Sequence, residues 1–261
     1  KGATGYDLTR LLIGSEGTLA VITEATLKLT PLASDKRTLR ATYVDIGAAA
    51  AAVARIMAQS VTPCALEYMD GDALHLARNH AGDAIPEAGA MLIIEVDGET
   101  DALPSAVAAI YRAASGDGLI ELHTANSDAE VTALWKARKT LSPALRTLAP
   151  NKINEDVVVP VSRVPELITG LRSISARNSI PMVTFGHAGN GNIHVNLLYR
   201  PEDPIQAANA PGCLSEVFDL VFSLDGTLSG EHGIGLTKRE FMPRAVDPVA
   251  LDLMRLIKSQ F

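Results

Sequence analysis

The chain has 261 residues, 47% of them hydrophobic and 20% charged, so it is long enough to bury a core as one large domain or two smaller ones. Its formal net charge of −7 argues against a nucleic-acid partner, because phosphate binding needs clustered Lys and Arg. The apolar runs are broken before the roughly 20 residues that a membrane span requires.

The first predicted elements are a glycine-containing turn at residues 14–17 and two strand-like segments at 18–23 and 25–30. The turn has two interpretations: its backbone N–H groups hold a phosphate, or it is an ordinary β-turn. Residues 31–35 form a linker. After it, strands are predicted at 38–44, 63–69, 90–96, 119–124, 153–159, 182–187 and 193–199. Helices are predicted at 47–60, 70–79, 101–115, 127–148, 162–176, 213–224 and 247–260.

This alternation of strands and helices, with antiparallel hairpins, predicts an α+β fold: a mainly antiparallel sheet with helices on one face. The helix at 127–148 opens with a capping-box sequence and is interrupted or bent at Pro143. Residues 202–212, with two prolines and a glycine, are predicted to form a loop.

Residues 187–196 carry the first chemical signal. Asn190 and Gly191 are typical of a two-residue type I′ hairpin turn, in which His187 faces His194. Alternation along the strands places Phe185 and Asn196 on the same face. Two imidazoles so placed are close enough to share one cation. The alternative is a plain turn with two histidines satisfied by hydrogen bonds.

Residues 229–235 carry the second signal, since Glu231 and His232 stand between glycines, where backbone can approach a ligand closely. Two histidines and one carboxylate form a metal site with open coordination positions. His232 is then available as a base rather than as a ligand. Together, the two motifs favour a functional interpretation over simple packing.

Other candidates lie between these motifs. Arg138 on a helix and Lys152 at the start of a strand are suited to hold a substrate carboxylate, and Ser142 lies one helical turn beyond Arg138. For each of them a solvated surface residue is the alternative. Glu155 and Asp156 either orient the site from behind the ligands or end the exposed part of their strand.

Four segments together, residues 6–19, 154–160, 187–196 and 229–235, resemble the flavin-linked 2-hydroxy-acid dehydrogenases of the vanillyl-alcohol oxidase and p-cresol methylhydroxylase superfamily. The D-lactate, glycolate and D-2-hydroxyglutarate dehydrogenases match best. The resemblance implies that residues 1–31 are the C-terminal tail of an FAD-binding domain, and that residues 36–261 are a ferredoxin-like cap domain that binds substrate. Because Lys1 is no initiator methionine and the last helix reaches the end of the chain, a fragment is expected.

The resemblance also implies roles for individual residues. His187, His194 and Glu231 match the family's divalent-metal ligands, and His232 matches its catalytic base. Residues that match substrate-binding positions are Arg138, Ser142, Lys152 and Asn196. Residues that match flavin contacts are Gly14, Ser15, Gly17, Val21 and Ile22. One departure concerns Lys152, which precedes Pro160 by eight residues, whereas the D-2-hydroxyglutarate dehydrogenases have their lysine two residues closer, where this chain has Asn154.

The activity implied is metal-assisted oxidation of a D-2-hydroxy acid (lactate, glycolate or 2-hydroxyglutarate) to the 2-oxo acid, with hydride transfer to FAD. FAD is expected to be bound mostly by a missing upstream domain, so that the fragment is inactive alone. The metal is expected to be zinc or manganese. A metal-dependent hydrolase and a non-catalytic metal- or ligand-binding module are the alternatives.

The expected partners are the small-molecule substrate and an electron acceptor, which is a quinone, a cytochrome or an electron-transfer flavoprotein. A homodimer is a candidate assembly. The widely separated Cys64 and Cys213 have no metal-ligand spacing and favour a reducing cytoplasm, with attachment to the periphery of the inner membrane as the alternative.

Overall fold

The computed structural model describes residues 4–81 and 85–261. The first three residues of the predicted flavin-domain tail therefore lie outside the described part. The chain divides into two compact units: residues 33–227 form the larger one, and residues 1–32 group with 228–261 in the smaller one. Among the described residues, no helix is both long and apolar enough to cross a membrane.

The larger unit contains a seven-stranded sheet in which every neighbouring pair is antiparallel. Its strands are β1 (Asp35–Tyr43), β2 (Ala65–Asp70), β3 (Ala90–Gly98), β4 (Leu119–Thr124), β5 (Asn151–Val158), β6 (Met182–His187) and β7 (Asn192–Tyr199). The order across the sheet is β4-β1-β3-β2-β6-β7-β5. The predicted α+β class with an antiparallel sheet is confirmed.

One face of the sheet is covered by four helices, α2 (Ile46–Ala58), α4 (Leu103–Ala114), α6 (Val164–Asn178) and α7 (Pro204–Ser223). Leu92 and Ile94 of β3 point to this face, and the Tyr43 hydroxyl donates to the carbonyl of Ala114 in α4 at 2.9 Å. The opposite face carries the helix pair α3 (Gly71–Ala81) and α5 (Asp128–Ala144) over part of its area, so helices lie on both faces and not on one face as predicted. Met91 and Phe185 are buried there. Strands covered on both faces explain the nearly continuous apolar run of β3.

Helix α5 begins where the capping sequence predicts. The Glu130 N–H donates to the Ser127 hydroxyl at 3.3 Å, which satisfies one of the unpaired donors at a helix start. The helix ends at Ala144, one residue after Pro143, and a 3₁₀ turn follows at Leu145–Thr147. The interruption predicted at Pro143 therefore occurs.

The loop predicted at residues 202–212 is wrong, because helix α7 already begins at Pro204. Proline is tolerated at the first helical position, where its missing N–H would have no partner anyway. The Asp203 side chain caps the helix by accepting from the N–H groups of Ile205 and Gln206. Of the two prolines that suggested a loop, Pro204 stands at the helix start and Pro211 lies inside the helix.

The smaller unit contains α1 (Leu8–Ile13), α8 (Met242–Ala245) and α9 (Pro248–Lys258). The two strands predicted within residues 18–30 are wrong, because that stretch has no strand in the described structure. Its alternating apolar side chains are exposed: Val21 to 85%, Leu27 to 78% and Leu29 to 86%. A strand needs a neighbouring strand for its hydrogen bonds, and apolar alternation by itself does not supply one.

Candidate functional site

The hairpin β6–β7 differs in register from the sequence prediction. His187 pairs with Asn192, and His194 pairs with Phe185. The connection is a 3₁₀ turn at Ala188–Asn190 followed by Gly191, not a two-residue type I′ turn. The register is therefore displaced by two residues from the predicted one. Since side chains alternate with a period of two, both histidines, Phe185 and Asn196 still share one face, as predicted.

Gly191 explains why this connection forms. Its φ is +70°, in the left-handed region that residues with a Cβ rarely adopt. A Cβ at this position would also lie 2.0 Å from the carbonyl oxygen of Val159. Asn190 has no positive φ, which a type I′ turn would require at both central positions. A glycine here therefore serves both the backbone conformation and the close approach of the neighbouring chain.

The two histidines are close neighbours on the sheet. The ring centroids of His187 and His194 are 5.5 Å apart, with the rings nearly perpendicular, and Phe185 lies 5.7 Å from His194. The His194 residue is 7% exposed, whereas 38% of the His187 side chain is exposed. Two imidazoles at this separation, one buried and one facing outward, are suited to bind one cation at the rim of the unit.

Glu67 of β2 is a functional candidate that the sequence analysis missed. It is 5% exposed and pairs with His187 across the β2–β6 ladder. Its Oε1 lies 2.5 Å from Nδ1 of His187, and its Oε2 accepts from Nε of Arg138 at 2.8 Å. Burial by itself would raise the pKa of Glu67, but the His187 hydrogen bond and the Arg138 charge lower it. The available signal was an acidic residue inside an apolar strand.

Arg138 of α5 lies over the same sheet face. Its guanidinium carbon is 4.7 Å from the centroid of the Phe185 ring, in a cation–π arrangement, and 12% of its side chain is exposed. In the described structure its hydrogen bond to Glu67 uses Nε alone. The two Nη groups therefore remain suited to grip a carboxylate, which prefers a planar pair of donors.

Asn196 lies beside the histidines and is fully buried. Its Oδ1 accepts from Nδ2 of Asn154 at 2.7 Å, and its Nδ2 donates to the carbonyl of Val183 at 3.1 Å. The two asparagines are register partners on β5 and β7. Asn154 therefore holds the Asn196 side chain from the neighbouring strand.

Lys152 lies at the start of β5, on the same face as Asn154 by strand alternation. Its Nζ donates to the Ser142 hydroxyl at 3.3 Å, so two of the predicted substrate-binding residues are brought together. Partial burial, and secondly the positive charge of Arg146, lower the pKa of Lys152. The pair forms a polar, positively charged position at the outer end of this face.

Asp156 is fully buried and is the register partner of His194 on β5. Directly opposed residues of an antiparallel pair have Cβ atoms roughly 4.5–5.5 Å apart, on the same face. Both histidines of the hairpin therefore have a buried carboxylate on a neighbouring strand: Glu67 for His187 and Asp156 for His194. Carboxylates behind imidazoles are typical of metal-binding histidines, whose orientation they hold.

Glu231 and His232 belong to the smaller unit, in a segment without regular structure. Both side chains are nearly half exposed, and His232 Nε2 lies 3.9 Å from Glu231 Oε1. The Gly233 N–H donates to the Ser229 hydroxyl at 2.8 Å, and the Ile234 N–H donates to Glu16 Oε2 at 2.7 Å. These bonds hold the glycine-rich segment that carries both side chains.

The residues matched to flavin contacts lie in the same unit. In the predicted phosphate-binding turn, the N–H groups of Gly14, Ser15 and Thr18 donate to carbonyls of the chain itself, and the Ser15 hydroxyl donates to Leu12. Gly17 has a φ of +72°, as a tight turn requires. This bonding favours the ordinary turn over the phosphate-binding alternative. Val21 and Ile22, at 85% and 58% exposure, present an apolar surface.

The family model described as "FAD linked oxidases, C-terminal domain" matches residues 32–261. Among curated proteins, the glycolate oxidase subunit GlcD of Bacillus subtilis is 35% identical over 262 residues, which cover 100% of this chain and 56% of that protein. The probable mitochondrial D-lactate dehydrogenase of Danio rerio is 29% identical, over 99% of this chain and 52% of that protein. The chain thus spans about half the length of these curated relatives.

Solved structures share the fold. p-Cresol methylhydroxylase with substrate bound superposes with a TM-score of 0.65 at 11% sequence identity, covering 87% of this chain and 50% of that one. Alkyldihydroxyacetonephosphate synthase gives a TM-score of 0.61 at 15% identity, covering 100% of this chain and 48% of that one. At these identities the comparison concerns the fold alone.

Proposed function

Because this chain belongs to the FAD-linked oxidases, with their C-terminal domain at residues 32–261, we propose that it serves the FAD-dependent oxidation of a D-2-hydroxy acid to the 2-oxo acid. The observation that carries the proposal is the shared sheet face of His187, His194 and Arg138, with Glu67 bonded to both His187 and Arg138. Two imidazoles and a guanidinium suit a small molecule that bears a hydroxyl and a carboxylate. Relatives named glycolate oxidase and D-lactate dehydrogenase agree with that substrate class.

The donors present fit a divalent cation. Two imidazoles at a centroid distance of 5.5 Å, each opposite a buried carboxylate, match the ligands and supporting groups of zinc or manganese sites. His187 and His194 would hold the ion, with Glu231 proposed as the third ligand from its sequence motif. A divalent ion bound there supplies Lewis-acid polarisation of the substrate hydroxyl.

The remaining roles are assigned to groups of this chain. Arg138 orients the substrate carboxylate through its two Nη groups, while Phe185 and Glu67 hold the guanidinium in place. Asn196 is proposed as a substrate contact from its motif, with its amide held by Asn154 and the Val183 carbonyl. Lys152 and Ser142 receive the far end of a longer or more acidic substrate. His232 takes the hydroxyl proton on an imidazole nitrogen.

FAD is the family's cofactor, and when bound it supplies the hydride acceptor. The residues of this chain fit it only in part. Val21 and Ile22 offer exposed apolar contact, but the turn at residues 14–18 uses several of its N–H groups internally. We therefore propose that most of the FAD is held outside this chain, that the chain alone is inactive, and that a quinone, cytochrome or electron-transfer flavoprotein reoxidises the flavin.

The experiment is dye reduction by full-length, FAD-loaded protein supplied with D- and L-2-hydroxy acids of increasing length and charge. Reduction with D-lactate, glycolate or D-2-hydroxyglutarate is expected. His232→Ala should lower turnover strongly without loss of metal, whereas His75→Ala, an exposed histidine of α3, serves as the matched control. Absence of dye reduction with every D-2-hydroxy acid, or loss of metal from His232→Ala, would contradict the proposal.

A further inference from the structure

Glu67 connects two groups that the proposed function uses separately. One carboxylate oxygen bonds the His187 ring and the other bonds the Arg138 guanidinium. We propose that Glu67 is a positioning residue that fixes His187 and Arg138 as one unit, so that metal affinity and carboxylate recognition depend on the same buried side chain. The part of this inference that concerns metal rests on the proposed function.

The first step concerns the His187 ring. An ionised carboxylate only accepts hydrogen bonds, so a ring nitrogen 2.5 Å from Glu67 Oε1 must carry the proton. That nitrogen is Nδ1, which leaves Nε2 as the nitrogen through which a cation would bind. Glu67 therefore selects one tautomer and one orientation of the ring, both of which a metal ligand needs.

The second step concerns Arg138. Its guanidinium is held from two sides, by Glu67 at Nε and by the Phe185 ring beneath its plane. The guanidinium is rigid and planar, and its two Nη groups lie at the opposite end from Nε. With Nε bonded to Glu67, the edge formed by the two Nη groups therefore points away from Glu67. A carboxylate at that edge would lie on the same sheet face as the histidines. Glu67 thus sets the direction in which Arg138 can bind.

The third step asks whether Glu67 does more than fasten helix α5 to the sheet, and Glu95 supplies the comparison. Glu95 of β3 is also 5% exposed, and it binds α5 through the indole N–H of Trp135 at 2.8 Å. It further accepts from Thr38 and Lys36. Glu95 is therefore a second buried carboxylate on this face that binds the same helix, without a bond to His187 or Arg138 in the described structure. It provides a matched control.

The test compares Glu67→Gln with Glu95→Gln in the 261-residue chain, with zinc alone as the probe. Zinc affinity, measured by competition with a chromophoric chelator, should fall about 10- to 100-fold in Glu67→Gln, as is usual when a supporting carboxylate is removed. It should stay within about twofold in Glu95→Gln. Urea unfolding of both variants records how much stability each has lost.

A second measurement does not depend on metal. Two-bond ¹H–¹⁵N NMR correlation of the metal-free chain reports the tautomer of each histidine, with His187→Ala to assign the signals. Wild type and Glu95→Gln should show His187 protonated at Nδ1, and Glu67→Gln should lose that preference. An unchanged tautomer in Glu67→Gln, or equal loss of zinc affinity in both variants, overturns the inference. If wild type binds no zinc, the metal in the proposed function fails, while the tautomer still decides the role of Glu67.

Discussion

The Gly191→Ala substitution should destabilise the larger unit strongly, because the added Cβ meets two obstacles. Gly191 has a φ of +70°, and a residue with a Cβ in that region is strained by about 1–3 kcal/mol. The Cβ would also lie 2.0 Å from the Val159 carbonyl oxygen, which is backbone and cannot rotate away. Overpacking of this kind adds about 1–3 kcal/mol. Together the two costs are about 2–6 kcal/mol, which for a unit of this size corresponds to a fall in Tm of roughly 4–24 °C.

Thermal and urea unfolding of the purified chain measure this effect, with Gly212→Ala as the control. Gly212 lies inside helix α7, exposed, and no described atom comes within 4 Å of a Cβ placed there. The same chemical change should therefore stabilise that helix by about 0.5–1 kcal/mol. Opposite signs for the two variants are expected. A Tm for Gly191→Ala within 1–2 °C of wild type would refute both the loop geometry and the energies drawn from it.

Three further predictions concern charge and buried polar groups. Burial raises the pKa of Asp70 to about 6, above its value in the unfolded chain. Its protonated form therefore contributes about 3 kcal/mol to the free energy of unfolding at low pH, and about 2 kcal/mol of this is lost as pH rises from about 4 to 6. Urea unfolding of wild type and Asp70→Asn at pH 4 and 7 measures this contribution, and a difference independent of pH would count against it. Arg138→Lys removes the planar pair of Nη donors proposed to bind the substrate carboxylate, so KM for the 2-hydroxy acid should rise about 10- to 100-fold in the FAD-loaded enzyme. Lys139→Arg, on the same helix, is the control. An unchanged KM in Arg138→Lys would show that Arg138 does not bind substrate. Asn196→Ala leaves the Val183 carbonyl and the Asn154 amide without their partner and should lower stability by about 2–4 kcal/mol in chemical denaturation, whereas a loss below about 0.5 kcal/mol would show that water replaces both bonds.

The fold was predictable where local signals agree with each other. The predicted bounds of β4 and β6 match the structure, because apolar alternation ends there at residues that favour turns. The start of α7 was missed because Pro204 occupies a helix start, which composition does not separate from a loop. The resemblance to FAD-linked 2-hydroxy-acid dehydrogenases is confirmed at the level of the family. That recognition came from motifs and not from the pattern of elements.

From the sequence, strand alternation predicted which residues of the candidate site share one face of the sheet, but not which distant strand lies beside them. A register displaced by two residues kept both histidines on one face, whereas a displacement by one residue would have placed them on opposite faces of the sheet. Glu67 lies 120 residues before His187, and only the pairing of β2 with β6 brings them together. Pairing between distant strands leaves no local trace in the sequence, so the partner of His187 was not foreseen.

Buried acidic residues nevertheless leave a usable trace. Glu67 and Glu95 each interrupt an apolar strand, and each faces a layer of helix rather than water. A carboxylate in such a position is tolerated only with hydrogen-bonding or cationic partners, since its desolvation otherwise costs several kcal/mol. The sequence therefore indicates that partners exist, and the structure identifies them as His187 and Arg138 in one case and as Trp135 and Lys36 in the other. Glu67 therefore bonds two residues of the candidate site, whereas Glu95 bonds Trp135 and so fastens helix α5 to the sheet. The two carboxylates are equally buried, so their roles are distinguished by their partners.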